Sequence, residues 1–179
     1  LSTLATMDPI WLKQHAWSLN LVVAAIAFWH YHREGFHIPR LTIPFIVASI
    51  PFALLGGYLA VGGSIYDLLL SLTLLWAAWR LWGGSSTDSA DDVTPPDTKA
   101  AAPVGGAIGL VSGLIGVGGG IFLTPILLLK RWATPKQAAA TSALFIWVNS
   151  LAGLSGSFAS KGMQLELELL IPFLAAVLL

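Results

Sequence analysis

The chain has 179 residues, of which 56% are apolar and 10% charged, with nine Lys/Arg against nine Asp/Glu. Soluble domains carry roughly 25% charged residues, so this composition describes an integral membrane protein. Zero net charge with no Lys/Arg-rich run argues against nucleic acid as a partner, and the lack of cysteine excludes disulfides, thiolate metal sites and cysteine nucleophiles.

Six apolar segments follow one another. Ala16–Tyr31 is short for a span unless upstream residues such as Trp11 extend it. Leu41–Gly62 contains Pro44 and Pro51, which should bend it, and Ile65–Trp82 is the third segment. Between Gly83 and Ala102 the run GGSSTDSADDVTPPDTKAAA is too polar to bury a core and reads as an acidic, solvated linker. Val104–Leu129 is apolar but broken by glycine. Pro135–Phe158 opens with proline at a favourable first-turn position and the helix-forming run KQAAA. Leu165–Leu179 is too short to cross about 30 Å of hydrocarbon at 1.5 Å per residue. With no initiator methionine at the start, this predicts a piece of a longer protein.

The broken segment is the most informative. Gly105, Gly109, Gly113 and Gly116 recur at helical spacing and predict a face without side chains, on which another helix packs closely. Gly118, Gly119 and Gly120 then end that helix within the apolar run. Broken backbone at membrane depth survives only when buried in protein or lining a wet cavity. The second piece, Ile121 to Leu129, would begin there with free N–H groups, which favour an anion. A kinked packing helix is the alternative reading.

The two halves echo each other. Lys13-Gln14-His15-Ala16-Trp17-Ser18 resembles Lys136-Gln137-Ala138-Ala139-Ala140-Thr141-Ser142, and each leads into an apolar helix, a glycine turn (Gly35, Gly162) and a proline-containing helix (Pro44, Pro172). The order predicts the rear of one transmembrane repeat in residues 1–82, the linker in 83–102, and the front of a second repeat in 103–179.

Gly109-x-x-x-Gly113-x-x-Gly116-Val117-Gly118-Gly119-Gly120-x-x-x-x-Pro125, followed by Ala140-Thr141-Ser142, resembles the second-repeat signature of the sulfite exporter TauE/SafE family. Leu55-Gly56-Gly57 in a proline-bent helix is similar to the rear of that family's first repeat. The resemblance implies a multi-pass permease of the bacterial or archaeal inner membrane, moving sulfite, organosulfonates or related sulfur anions. Two features depart from it: the first repeat's glycine signature is absent, as truncation before Leu1 would explain, and Trp17-Ser18 stands where the Thr-Ser pair should recur.

Thr141 and Ser142 offer hydroxyls to an oxyanion, although buried hydroxyls in membrane helices also bond back to their own helix or across to another. Asn149 and Ser150, two turns on, are placed along the same path or as interhelical glue. His30, His32 and His37 in HYHREGFHIPR have a metal-compatible spacing, but no Glu-x-x-His motif accompanies them, so no metal or other cofactor is expected. Trp76, Trp79 and Trp82 read as an interfacial aromatic belt, and Glu166 and Glu168, close to Lys161, as interfacial carboxylates. No nucleotide loop or catalytic array is present, so an enzyme is not expected. If the broken segment crosses once, four basic residues (Lys13, Lys130, Arg131, Lys136) face one side and five (Arg33, Arg40, Arg80, Lys99, Lys161) the other, which leaves orientation undecided.

The expectation is therefore an all-α polytopic bundle built from two repeats, with a broken glycine-rich helix. Gly118, Gly119, Gly120, Thr141, Ser142 and Asn149 are the candidate substrate residues, and Gly105, Gly109, Gly113 and Gly116 the packing glycines. The partners expected are a small anion, the lipid bilayer and, through the same glycine faces, a second copy or another membrane protein. A scaffold or accessory subunit without transport is the competing reading.

Overall fold

A computed structural model describes residues 8–59, 64–82, 93–166, 168, 171–172 and 175–176. Half of the expected linker, residues 83–92, and eight of the fifteen residues of the segment Leu165–Leu179 lie outside the described residues. Six α-helices and no strand occur among the described residues: α1 (Pro9–Arg33), α2 (Pro39–Tyr58), α3 (Ser64–Trp82), α4 (Thr98–Ile115), α5 (Gly120–Leu129) and α6 (Pro135–Lys161). Helices α2, α4 and α6 are long and apolar enough to cross a membrane. Their outward faces, with Ile43, Val47 and Leu151, and much of α3, with Leu68, Leu72 and Leu75, expose apolar side chains that suit lipid rather than water.

Local chemistry sets the helix ends. Asp8 accepts a hydrogen bond from the Ile10 amide at 3.0 Å, with Pro9 in the first turn, so α1 starts upstream of the apolar run and reaches spanning length. Thr134 and Gln137 form a reciprocal capping box at the start of α6. Helix α4 starts at Thr98, inside the stretch read as linker, because TKAAA is a good helix former once its apolar continuation is packed.

Side-chain pairings fix the helix directions. Gly105 lies against Phe45, Gly109 against Ser49 and Gly113 against Ala53, so α4 advances four residues for every four of α2 and runs parallel to it. Thr42 meets Thr141 and Gly57 meets Gly153, which makes α6 parallel to α2. Gln14 meets Ser157 and Trp17 meets Gly153, so α1 is antiparallel to α6. Gly120 touches Ile146 and Thr124 bonds Ser142, so α5 is also antiparallel to α6, and hence to α4.

The broken segment is therefore a hairpin. The chain descends α4, turns at Gly116–Gly119 and climbs back along α5. A hydrogen bond from the Thr94 amide to the Arg131 carbonyl (3.0 Å) ties the two ends together on one side of the bundle. The premise of a single crossing does not hold, because three left-handed glycines, Gly116 (φ 90), Gly118 (φ 77) and Gly119 (φ 82), reverse the chain where a kink would only bend it. A core of Leu41, Phe45, Ile108, Leu123, Leu127 and Phe145 fills the space between α2, α4, α5 and α6.

Candidate functional site

The glycine turn lies at mid-height of the bundle, beside the middles of α1 and α6. Helix α4 stops because Gly116 takes the left-handed conformation and returns its N–H to the Ser112 carbonyl at 2.8 Å. Gly119, again left-handed, is the N-cap of α5 and brings no side chain. The first bond of α5 runs from the Phe122 amide to the Gly119 carbonyl (3.1 Å), so the amides of Gly120 and Ile121 precede the helical ladder. The positive end of the α5 dipole thus opens inside the protein.

No side chain fits at these glycines. A Cβ on Gly118 would stand 2.8 Å from Ile146 Cγ2, 3.1 Å from Asn20 Nδ2 and 3.2 Å from Ser150 Oγ, and one on Gly119 would stand 2.7 Å from Phe145 Cε1 and 3.3 Å from Ser112 Cβ. The turn is therefore enclosed by α1, α4 and α6, with polar groups from all three nearby. Among the described residues Ser112 Oγ, Ser150 Oγ, Asn149 Oδ1 and Trp17 Nε1 are buried without a hydrogen-bond partner. Buried polar atoms are nearly always satisfied, so such a group points to a missing partner.

Two cavities flank the turn. One of about 290 Å³ is lined by Asn20, Ala24, Thr124, Ser142, Ala143 and Ile146. The other, of about 430 Å³, is lined by Lys13, Asn20, Tyr66, Ile115, Gly116 and Val117. Asn20 borders both.

Ser142 joins the site: it lines the smaller cavity, its Cβ faces Gly120, and it accepts a hydrogen bond from Thr124 Oγ1 at 2.7 Å. Thr141 turns toward α2 instead, where its hydroxyl lies 3.1 Å from that of Thr42 and is fully buried. Thr141→Val should lower stability by about 1 kcal/mol, the worth of one buried hydrogen bond, read as a lower melting temperature of the purified protein in detergent. Loss of transport at an unchanged melting temperature would return Thr141 to the substrate path. Asn149 donates from Nδ2 to the Phe145 carbonyl at 2.8 Å, leaving Oδ1 free. Gly105, Gly109 and Gly113 lie on α2 backbone, whereas Gly116 lies against the Lys13 side chain.

Asn20, Ser112 and Lys13 were not singled out from sequence. A lone polar residue within an apolar span is the signal that could have marked Asn20 and Ser112. In the turn between α1 and α2, the His32 and His37 rings are 5.6 Å apart. Burial, then the charge of His32, holds the His37 imidazole below its ordinary value, favouring its neutral form. Among the described residues no group of three or more His, Cys, Asp or Glu is placed to hold a metal.

An apolar helical bundle whose broken helix opens amides and unpaired polar atoms at mid-depth is an arrangement characteristic of membrane transporters. The sequence model of the family described as sulfite exporter TauE/SafE matches residues 16–179, and the chain belongs to that family. It is a family of membrane transporters and not of enzymes. The chain is 37% identical over 160 residues to a protein of Sinorhizobium fredii named "Probable membrane transporter protein y4hK", covering 88% of this chain and 65% of that protein. It is 31% identical over 128 residues to the Bacillus subtilis "Probable membrane transporter protein YunE", covering 61% of this chain and 47% of the relative. The chain thus spans less than two thirds of the length of either. No solved structure gives a significant match.

Proposed function

We propose that this protein is a multi-pass permease of the bacterial inner membrane that carries a small oxyanion, sulfite or a related sulfur acid, past the Gly116–Gly120 turn. The observation that carries the reading is the enclosure of the α5 start by buried, unpartnered hydroxyls, Ser112 Oγ and Ser150 Oγ. Amides and hydroxyls donate hydrogen bonds to an anion, and the helix dipole adds a fixed partial positive charge without a salt bridge that would slow release. Ser142 supplies a further hydroxyl from the neighbouring cavity. Asn149, whose free atom is an acceptor, suits water or the protonated oxygen of a hydrogen-anion. Thr141 belongs in this reading to the packing of α6 on α2.

The test is sulfite flux into liposomes holding the full-length protein. Gly119→Leu, which meets Phe145 and Ile108, should reduce flux at least tenfold while protein is still recovered from the membrane. Flux equal to the wild type would remove the turn from the transport path. A wild-type protein with no flux that purifies with a stoichiometric membrane partner would favour the scaffold reading.

A further inference from the structure

We propose that Lys13 is the cationic contact of the substrate path, meeting the anion in the larger cavity before it reaches the glycine turn; this rests on the oxyanion reading above. Lys13 sits in the second turn of α1 and is 1% exposed, an unusual position for an ammonium-bearing side chain. Its Nζ donates to the Leu114 carbonyl at 3.3 Å and lies 6.0 Å from the centroid of the Tyr66 ring. The carbonyl lies in the last turn of α4, the negative end of that helix dipole, and uses one of three ammonium donors. A carbonyl, a distant ring face and the charge of the Asp8 carboxylate, five residues earlier, compensate a buried positive charge in part, whereas an anion in direct contact would complete it.

The surroundings agree with that role. Lys13 lines the 430 Å³ cavity together with Asn20 and Gly116, and its stem packs where a Gly116 side chain would be, 2.8 Å from the Cβ position. The ammonium is thereby held at the carbonyl end of α4, while the amide end of α5 opens a few residues further along the same turn. Asn20 borders this cavity and the one lined by Ser142, so it stands between the Lys13 ammonium on one side and the Ser142 hydroxyl on the other. An anion entering from the Lys13 side would exchange one charge contact for amide and hydroxyl contacts, with Asn20 between them.

The experiment measures sulfite flux by the full-length protein in liposomes for wild type, Lys13→Met and Lys13→Arg. Lys13→Met should raise the KM for sulfite about tenfold or more, with a smaller change in maximal rate, and Lys13→Arg should stay within a few-fold of wild type. A residue that only caps α4 would lower the melting temperature and leave KM unchanged, and that result overturns the proposal. Should Lys13→Met not fold, Lys13→Gln, which keeps a donor for the Leu114 carbonyl without the charge, replaces it, and a wild-type KM in that variant overturns the role. Wild-type KM in Lys13→Met beside an inactive Gly119→Leu would remove Lys13 alone, whereas absence of any sulfite flux in the wild type would remove both readings.

Discussion

A single methyl group at Gly57 should cost the bundle about 3 kcal/mol or more, the upper range for overpacking a tight interior. Gly57 faces Gly153, and the added Cβ would overlap the Gly153 carbonyl oxygen and Cα. Both partners are helix backbone, so neither yields by a rotamer change, and α2 and α6 would have to move apart along their length. The adjacent contact of Gly156 with the Leu54 carbonyl would be lost with it. Gly106→Ala provides the contrast. Its Cβ would meet the Phe52 ring at 3.1 Å, a side chain that can shift, and helix propensity favours alanine by about 1 kcal/mol. Thermal unfolding in detergent should place Gly57→Ala well below wild type and Gly106→Ala close to it. Equal melting temperatures for the two variants would mean that the α2–α6 backbone contact is absent from the protein in solution.

Membrane orientation is the second large effect, and it follows from the hairpin. Lys136 lies over the Phe36 ring at 4.5 Å, which puts the start of α6 beside the α1–α2 turn with Arg33 and Arg40. The Thr94–Arg131 bond places Lys99, Lys130 and Arg131 on that side as well. Helix α3 runs from Tyr66, near Lys13, toward Trp76, which packs on Phe122 of α5, so the helix backbone at residue 80, one turn on, lies toward that side too. Of the nine basic residues, only Lys13 and Lys161 remain for the opposite side, a division of seven to two. Basic residues near helix ends are retained in the cytoplasm, so the α1–α2 turn should be cytoplasmic. This chain has no cysteine, which allows single cysteines to be read one at a time. In intact cells a membrane-impermeant maleimide should label Met163→Cys and leave Glu34→Cys, Lys99→Cys and Lys130→Cys unlabelled until the membrane is opened. The reverse pattern would invert the orientation, and opposite behaviour of Lys99→Cys and Lys130→Cys would rule out the hairpin.

The same hairpin shows where sequence reading stops. Glycine spacing marked Gly105, Gly109, Gly113 and Gly116 as one face; the first three lie on α2 backbone, where a missing side chain is what allows the approach, and Gly116 lies against Lys13. Composition and apolar run length sufficed for the helices themselves. Whether the chain continues or returns after Gly116 is a matter of backbone sign, and glycine adopts either sign equally well. That one ambiguity turned a seven-to-two division of basic residues into an apparent four against five. Thr141 and Ser142 were indistinguishable for a related reason: neighbours on a helix point about 100° apart, and the pattern alone does not say which meets α2 and which meets α5. Lys13 was hidden by distance, since the carbonyl it bonds is 101 residues further along the chain.

The order in which this bundle can be completed on the ribosome also follows from its pairings. Gln14 of α1 waits for Ser157, 143 residues later, and Thr42 of α2 for Thr141, 99 residues later. Loops of that length close slowly, and until α6 is inserted Gln14 and Thr42 lack these partners and have lipid or the insertion machinery beside them, whereas Lys13 and Ser49 already meet α4. Polar groups facing lipid are costly, so α1 and α2 should stay with the translocation apparatus or a membrane chaperone until α6 arrives. Quality control would then act on α6, and a nascent chain stalled before Pro135 would be recognised as unfinished by the polar face it still shows.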